Sequence, residues 1–366
     1  MPTTVRVNLG ERSYDIHIGS GIGVGNRWTE SDRVLIVTDS NVDAILGAQV
    51  EQAIAARGAT VARTVVPAGE ASKCLAVAAN VYDAAIAAGL DRESVIVALG
   101  GGMVGDLAGF VAATYLRGVR FVQIPTSLLA MVDSSVGGKT GVNLAHGKNL
   151  VGAFHQPVEV IADISVLDSM PPREYTSGLA EVVKYGIIRD ATLFERLERD
   201  GDRITRIDHA TMQDIVAQCC RIKADVVSAD EREGGLRAIL NFGHTMAHAL
   251  EKAGSYAGML HGEAVAAGML YATALSCRER GLDGSAMSRV SNLLRALNLP
   301  AGFADAGHDD AGAANWPSLR EAMGVDKKTR GGVPHFVLAN AIGEVSVGHT
   351  IAEDALRETY EEMVRS

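Results

Sequence analysis

The spacing of hydrophobic and polar residues changes along the chain. In the first twenty residues, apolar and polar positions alternate on both sides of Gly10-Glu11-Arg12, which predicts a β-hairpin. Short, mostly apolar runs that are typical of buried strands follow at 34–37, 94–99 and 121–124. Helical periodicity lies around these runs, at 42–57, 72–88 and 104–115. Strands that alternate with helices at this spacing predict an α/β domain built on a parallel sheet.

The pattern changes at Ser169-Met170-Pro171-Pro172. From there to the C-terminus helical periodicity dominates, and one short stretch at 335–338 has the character of a strand. A chain of 366 residues is longer than one hydrophobic core usually serves. The sequence therefore predicts a Rossmann-like α/β domain at 1–170 and a mainly α-helical domain at 171–366.

Composition and charge narrow the possible functions. Apolar residues make up 47% and charged residues 21% of the chain, which excludes global disorder. The net charge of −10 and the aromatic content of 5% both speak against a nucleic-acid partner. An anionic ligand must therefore be bound by a local cluster of cations rather than attracted by the overall charge.

Cysteine usage and the N-terminus predict a location. Four cysteines without a CxxC motif are too few for a disulfide framework, and the adjacent Cys219 and Cys220 are expected to be core thiols. The first residues lack an apolar segment after a basic start, and no run of 18 apolar residues occurs. We therefore expect a cytoplasmic protein with no membrane partner.

A glycine pattern and two nearby lysines suggest phosphate chemistry. Gly100, Gly102 and Gly105 fit GxGxxG between a predicted strand and helix, where backbone amides can approach a pyrophosphate. The same glycines also fit a tight turn without a ligand, and the loop comes later in the chain than in a standard Rossmann unit. An earlier strand ends at Asp39, which could bind a ribose hydroxyl.

The sequence Gly138-Lys139-Thr140 resembles the end of a P-loop. The glycine that this motif requires five residues before Gly138 is Asp133, which disfavours a nucleoside triphosphatase. Lys139 and Lys148 lie in a glycine-rich stretch and are either solvated charges or phosphate ligands.

The spacing of Arg237, Asn241, His244 and His248 is 4, 3 and 4, which predicts one polar stripe on a helix. His244 and His248 at i, i+4 could chelate one metal ion, although a buried histidine is more often only hydrogen-bonded. His261 opens a later apolar helix, and Glu181 and Lys184 lie one turn apart in the helix after the two prolines. Together these residues favour a metal or catalytic site.

Five motifs, in order along nearly the whole chain, resemble the 3-dehydroquinate synthase family. They are GEASK at 69–73, GGMVGD at 101–106, IPTSLLAMVDSSVGGKT at 124–140, LAEVVKYG at 179–186 and NFGHT at 241–245. One departure is Ser127, where many relatives have a second threonine, and it keeps the hydroxyl. The family belongs to the sugar-phosphate cyclases and shares its fold with glycerol dehydrogenase and the iron-containing alcohol dehydrogenases.

The resemblance implies an NAD-dependent, metal-dependent lyase. Its substrate would be 3-deoxy-D-arabino-heptulosonate 7-phosphate, converted to 3-dehydroquinate and phosphate in the shikimate pathway. The family reaction proceeds by transient oxidation with NAD, phosphate elimination, reduction, ring opening and aldol cyclisation. The metal would be zinc or cobalt, bound by Glu181, His244 and His261, which places His248 against substrate phosphate instead of metal.

The resemblance also implies the remaining site residues. NAD would contact Asp39, Asn41, Gly69, Glu70, Lys73, Gly101, Gly102, Met103, Gly105, Asp106, Thr126, Ser127, Leu129, Ser134, Lys139, Lys148 and Ser169. The substrate phosphate would contact Lys139, Asn149, Lys184, Asn241 and His248. Lys223 and Arg237 would hold the carboxylate, Lys327 or Lys328 would also touch substrate, and Asp133 belongs to the catalytic set. A homodimer is implied, with Arg117 contributed by a second subunit.

Two other functions compete with this interpretation. The first is a related enzyme, either a polyol dehydrogenase or a cyclase whose sugar-phosphate substrate has no carboxylate. The second is a metal- or dinucleotide-sensing regulatory protein without enzymatic activity. Arg237 with Lys223 favours a carboxylate substrate, and the full set of phosphate ligands is more than a dehydrogenase or a sensor needs.

Overall fold

The structure is a computed structural model that describes residues 1–25, 28–29, 32–253, 258–303, 315–324 and 334–365. The chain divides into two compact units. Unit 1 contains Met1–Met170 and Met212–Arg232, and unit 2 contains Pro171–Thr211 and Glu233–Ser366. The chain thus leaves unit 1 after Met170 but returns to it for one helical segment, which a single boundary does not describe.

Unit 1 is built on a seven-stranded sheet in the order β1-β2-β9-β6-β5-β3-β4. Strands β1 and β2 pair antiparallel, and the other neighbours are parallel. A separate antiparallel hairpin is formed by β7 and β8. The strands are β1 (Thr3–Val7), β2 (Tyr14–Gly19), β3 (Arg33–Asp39), β4 (Thr60–Val66), β5 (Val95–Gly100), β6 (Arg120–Pro125), β7 (Lys139–Leu144), β8 (Gly147–Phe154) and β9 (Glu159–Asp163).

Helices cover both faces of this sheet. They are α1 (Ser40–Val42), a π-helical turn (Asp43–Gly47), α2 (Ala48–Ala55), α3 (Leu75–Ala87) and α4 (Gly102–Thr114). Along β3, Val34 and Ile36 belong to one hydrophobic cluster while Leu35 and Val37 belong to another. Burial on both faces explains why the sequence shows an unbroken apolar run here rather than an alternation.

The order of the strands creates a switch point. The chain passes from β3 outward to β4 and then returns to the other side of β3 as β5. In a parallel sheet, ligands bind outside the carboxyl ends of strands at such a reversal. The reversal also explains why the glycine pattern follows β5, late in the chain: β5 is one of the two strands that flank the switch.

Unit 2 is mainly helical. Its helices are α5 (Pro172–Arg189), α6 (Ala191–Thr205), the start of α7 (His209–Ala229), α8 (His244–Ala253), α9 (His261–Arg280), α10 (Gly284–Ala296), α11 (Trp316–Gly324) and α12 (Glu353–Arg365). A hairpin of β10 (Phe336–Ala341) and β11 (Glu344–His349) completes it. The sequence predicted β10 but not β11, all of whose residues are exposed or half-buried. The parallel sheet of unit 1 and the helices of unit 2 confirm the predicted fold class.

Local sequence signals set the ends of the site-bearing helices. Pro172 opens α5 at a position where its missing N–H is not needed. Asp190 caps α6 by accepting a hydrogen bond from Leu193 N at 3.0 Å. At the start of α9, Glu263 Oε2 accepts from Leu260 N at 2.8 Å. Among the described residues, no helix is both long and apolar enough to cross a membrane.

Two glycine substitutions test the packing of helices in opposite directions. In Gly109→Ala, the new Cβ would lie 2.4 Å from Thr140 Cγ2 and 3.0 Å from Phe121 Cε1. The resulting overpacking, about 1–3 kcal/mol, outweighs the helix propensity of about 1 kcal/mol that alanine gains over glycine. We expect a lower melting temperature by calorimetry.

The matched control is Gly201→Ala in α6, where no heavy atom lies within 4 Å of the new Cβ. Here only the propensity remains, so the free energy of unfolding should rise by about 0.5–1 kcal/mol. A Gly109→Ala protein as stable as the parent would contradict the packing of α4 on β6 and β7.

Candidate functional site

Three side chains of unit 2 converge on one point. Glu181 lies in the middle of α5, His244 is the first residue of α8, and His261 is the first residue of α9. One ligand atom of each lies within 4.8 Å of the others. His244 Nε2 is 3.5 Å and His261 Nε2 is 3.6 Å from Glu181 Oε1. The Glu181 side chain is 0% exposed, so these two rings face a fully buried carboxylate.

Glycines allow the three helices to approach this closely. A Cβ on Gly262 would lie 1.8 Å from the carbonyl oxygen of Ser177, so α9 contacts the backbone of α5 directly. Gly262 N also donates to Ser177 Oγ at 3.0 Å. A Cβ on Gly268 would lie 2.1 Å from the carbonyl oxygen of Gly243, so α9 also contacts the turn that precedes α8. Each metal-site side chain is therefore within a turn or two of a backbone contact that requires glycine.

Hydrogen bonds at Nδ1 orient both rings. His244 Nδ1 lies 3.2 Å from the carbonyl oxygen of Phe242, and His261 Nδ1 lies 3.4 Å from Glu251 Oε1. A carbonyl oxygen only accepts, so Nδ1 of His244 carries the proton and Nε2 keeps its lone pair. In the neutral form of each ring, the lone pair of Nε2 is then directed toward Glu181.

Lys184 supplies the charge that a buried carboxylate needs. Its Nζ forms an ion pair with Glu181 Oε2 from the next turn of α5, and its side chain is also buried. Breaking such a pair by removing one partner leaves an uncompensated buried charge. The pair leaves Oε1 of Glu181 as the oxygen that faces the two imidazoles.

This donor set fits a divalent metal. One carboxylate and two imidazoles are the protein ligands typical of catalytic zinc sites, which keep a position open for substrate. The pKa of His261 reflects the two carboxylates beside its ring. Burial opposes a charged ring, but the hydrogen bonds and charges of Glu181 and Glu251 outweigh it and raise the pKa to about 10. Because a metal needs the neutral ring, binding near neutral pH displaces a proton from His261.

The predicted polar stripe on a single helix is wrong. Leu236–Asn241 is a 3₁₀-helix that carries Arg237 and Asn241, and α8 begins only at His244. Phe242 has a ψ of 127°, outside the helical region, and Gly243 has a φ of +78°, so the helix is interrupted between the two pairs. The physical reason is the contact of Gly243 with Gly268, which the 4-3-4 spacing does not reveal. Arg237 is 2% exposed, Asn241 Nδ2 donates to Glu233 Oε1 at 3.3 Å, and the rings of His248 and His244 meet edge to face at 5.5 Å.

Several of the residues predicted to bind NAD lie at the carboxyl ends of strands in unit 1. Gly101 caps α4 and Gly102 is its first residue. A Cβ on Gly101 would lie 3.4 Å from Ser127 Oγ, and a Cβ on Gly102 would lie 3.0 Å from Ser134 Oγ. Thr126 N donates to the carbonyl oxygen of Gly100 at 3.0 Å. Asp39 ends β3 and caps α1 through Oδ1, which accepts from Asn41 N at 2.9 Å. The carboxyl ends of β3, β5 and β6 thus hold these residues.

A second group links α4 to the loop before α3. Lys73 forms an ion pair with Asp106, and its Nζ is 4.0 Å from Glu70 Oε1. Burial raises the pKa of Asp106, against the lowering effect of Lys73. Gly69 has a φ of +104°, which favours glycine at the start of this loop. Glycine backbone at the start of a helix with a cation beside it fits a dinucleotide phosphate.

The other predicted residues are placed as follows. Met103 and Gly105 lie in α4, Leu129 and Asp133 in the helical segment after β6, Lys139 in β7, Lys148 and Asn149 in β8, and Ser169 at the end of a 3₁₀-helix. Lys223 in α7 donates to the carbonyl oxygen of Asp133 at 2.5 Å and to its Oδ1 at 2.6 Å. Arg117 has a φ of +69° next to the exposed Leu116 at +49°. Lys327 and Lys328 lie outside the described residues.

One known family matches most of the chain in two adjacent segments. The family models for the 3-dehydroquinate synthase N-terminal and C-terminal domains match residues 63–177 and 178–329. A curated 3-dehydroquinate synthase from Symbiobacterium thermophilum is 48% identical over 98% of this chain and 100% of its own length. The chain belongs to the 3-dehydroquinate synthase family. The resemblance carried by the five motifs is confirmed.

Solved structures of other cyclases share the fold. The 2-epi-5-epi-valiolone synthase of Streptomyces hygroscopicus, solved with NAD+ and Zn2+, has a TM-score of 0.88 and 27% identity, covering 98% of both chains. A 2-deoxy-scyllo-inosose synthase, complexed with carbaglucose-6-phosphate, NAD+ and Co2+, has a TM-score of 0.87 and 26% identity, covering 99% of this chain and 100% of that one.

Sequence reasoning missed two kinds of residue at the candidate metal site. Glu251 was not singled out, although it lies on the same face of α8 as His244 and His248, seven and three residues later. The glycines at 262 and 268 were also missed, because they act through backbone contacts between helices that are distant in sequence. Helical register could have found Glu251, but only the three-dimensional structure reveals the glycine contacts.

Two histidines of the cluster should behave differently on substitution. We expect His261→Ala to weaken zinc binding by more than about 100-fold, since even outer-shell changes cost about 10- to 100-fold. His248→Ala should retain zinc, because His248 meets the ring of His244 edge to face and is not one of the three residues whose ligand atoms converge. Zinc content by mass spectrometry after gel filtration, with the melting temperature as control for folding, measures both. Loss of zinc from a folded His248→Ala protein would refute the ligand set.

Proposed function

We propose that this protein converts 3-deoxy-D-arabino-heptulosonate 7-phosphate to 3-dehydroquinate and inorganic phosphate, as a lyase that uses NAD and a divalent metal. The observation that carries the proposal is the buried Glu181, paired with Lys184 and faced by two imidazole Nε2 atoms. The relatives at 45–48% identity over nearly the full chain bear the name of this activity. The cyclases of similar fold bind NAD+ with Zn2+ or Co2+, which supports the same cofactors here.

Glu181, His244 and His261 would hold the metal. When bound, the metal supplies a positive charge that polarises hydroxyl and carbonyl oxygens of the substrate. Lys184 would orient the Glu181 carboxylate through Oε2 and add a cation beside the site. The charges of Glu181 and Lys184 cancel, so a bound dication would make the site positively charged. Such a site attracts the substrate phosphate within a chain of net charge −10.

Unit 1 would hold NAD at the switch point. The chemistry that NAD supplies when bound is a temporary removal of hydride from the substrate. The backbone of Gly101 and Gly102 would face the pyrophosphate, and Lys73, fixed by Asp106, would neutralise part of its charge. Asp39 would bind a ribose hydroxyl at the end of β3. The residues thus orient the cofactor, and the redox chemistry belongs to the cofactor itself.

The carboxylate of the substrate separates this reaction from related cyclase reactions. The 2-deoxy-scyllo-inosose synthase of similar fold is complexed with carbaglucose-6-phosphate. In this chain, Arg237 is a buried guanidinium in unit 2. Its planar fork matches a carboxylate with two hydrogen bonds, which a lysine does not reproduce. We therefore assign Arg237 to the substrate carboxylate.

A homodimer and a cytoplasmic location are part of the proposal. Leu116 and Arg117 both have positive φ, a conformation that is costly for side-chain-bearing residues and is retained where function requires it. Leu116 is also exposed, which suits a contact with a second copy of the chain. None of the four cysteines forms a disulfide, and a reducing compartment is compatible with this.

Phosphate release separates this function from a dehydrogenase. The purified protein with NAD and zinc should release inorganic phosphate from the heptulosonate phosphate, without a build-up of absorbance from reduced cofactor, because hydride leaves and returns in one turnover. A phosphate assay and the absorbance at the NADH band, recorded together, provide the test. Stoichiometric NADH without phosphate release would support a polyol dehydrogenase instead, and neither signal would support a sensor.

Substitution of Arg237 tests the carboxylate assignment. Arg237→Leu should cost about 2–5 kcal/mol in transition-state binding, the scale for truncating one partner of a desolvated charge pair. Arg237→Lys should restore only part of this, because a point charge lacks the fork. The measurement is kcat/KM, with zinc content and NAD affinity as controls that should barely change. Near-normal kcat/KM in a folded Arg237→Leu protein would reopen the choice of substrate.

A further inference from the structure

Glu251 is a half-buried carboxylate of unit 2 that none of the functions above uses. It lies near the end of α8, and its side chain is 10% exposed. Its Oε1 is 3.4 Å from His261 Nδ1, on the far side of the ring from Glu181. The imidazole of His261 therefore lies between two carboxylates, with one ring nitrogen directed at each.

A comparison with His244 shows what this second carboxylate does. Both rings direct Nε2 at Glu181 Oε1, at 3.5 and 3.6 Å. In His244 the other nitrogen is engaged by a backbone carbonyl, that of Phe242 at 3.2 Å. His261 is the first residue of its helix, and it has the Glu251 carboxylate in the corresponding place. Each ring thus has an acceptor at Nδ1, but only the acceptor of His261 is a side chain and carries a charge.

We infer that Glu251 is a positioning residue for the metal site, which accepts the Nδ1 proton of His261 and so fixes Nε2 as the metal-binding nitrogen. The inference rests on the proposed metal site. Neutral imidazole has one N–H, so a carboxylate at Nδ1 selects the tautomer with a lone pair on Nε2. Such outer carboxylates orient the ring of a ligating histidine and make it a stronger donor.

Because Glu251 lies on α8, a single helix contacts both histidines of the metal site. Helix α8 provides one ligand at its first residue, His244, and the acceptor for the other ligand two turns later. The packing of α8 against α9 therefore determines the positions of both histidine rings. Charge balance gives a second consequence: Glu251 and Glu181 together match a dication, while Lys184 leaves the loaded site with one net positive charge.

The test uses the full-length protein with Co2+ alone as the probe. Glu251→Gln keeps the shape and an accepting oxygen but removes the charge, and Glu251→Leu removes the acceptor. The readouts are Co2+ affinity in competition with a chelator, the visible absorption spectrum of bound Co2+, and the melting temperature. The matched control is Glu231→Gln in unit 1, whose side chain is 14% exposed and accepts hydrogen bonds from Arg12 and Gln156.

We expect Glu251→Leu to weaken Co2+ binding by about 10- to 100-fold and to change the spectrum. Glu251→Gln should recover part of the affinity, because it restores the acceptor. Glu231→Gln should lower the melting temperature without changing affinity or spectrum, which separates positioning from a general loss of stability.

Two outcomes overturn the inference in distinguishable ways. If the parent protein binds Co2+ and loses it in His261→Ala, but both folded Glu251 variants bind it as the parent does, Glu251 is not a positioning residue and the metal site stands. If the parent itself shows no Co2+ binding that depends on His261, the proposed metal site is wrong, and the inference fails with it.

Discussion

The approach of three helices at glycine contacts is the constraint on which the candidate site depends. Gly262 places the start of α9 against the backbone of α5, and Gly268 places α9 against the turn before α8. Added Cβ atoms would lie 1.8 and 2.1 Å from backbone oxygens, so no other residue fits without moving a helix. Since Glu181, His244 and His261 are carried by these helices, their ligand atoms converge only because the backbones do.

Burial of charge is the energetic cost of this arrangement. A carboxylate with no exposed surface is stable only when it is paired and hydrogen-bonded. Lys184 provides the pair within the same helix, and the two imidazoles face the second oxygen. The same low-dielectric surroundings strengthen every interaction with a bound metal or an anionic substrate.

The sequence was most informative where one pattern corresponds to one element. The apolar runs at 34–37 and 121–124 lie in β3 and β6, the run at 94–99 begins one residue before β5, and the glycine pattern lies at the β5–α4 junction. Strand β4 was missed because its residues are mostly half-buried, without an unbroken apolar run. The 4-3-4 spacing wrongly predicted one helix across Phe242 and Gly243. The turn at these residues is imposed by a contact with α9, which the spacing of residues in the sequence does not contain. The ligand set came from motif resemblance, since its three members lie on separate helices and have no common spacing.

X-ray absorption at the zinc edge of the zinc-loaded protein tests the central claim most directly. The account predicts two imidazole nitrogens at about 2.0–2.1 Å and a carboxylate oxygen at about 2.0–2.2 Å, with no sulfur ligand. The His261→Ala protein, if it is loaded at high zinc concentration, should lose one imidazole from the spectrum, and His248→Ala should lose none. A single imidazole in the parent, or a third one contributed by His248, would contradict the convergence of Glu181, His244 and His261 on one ion.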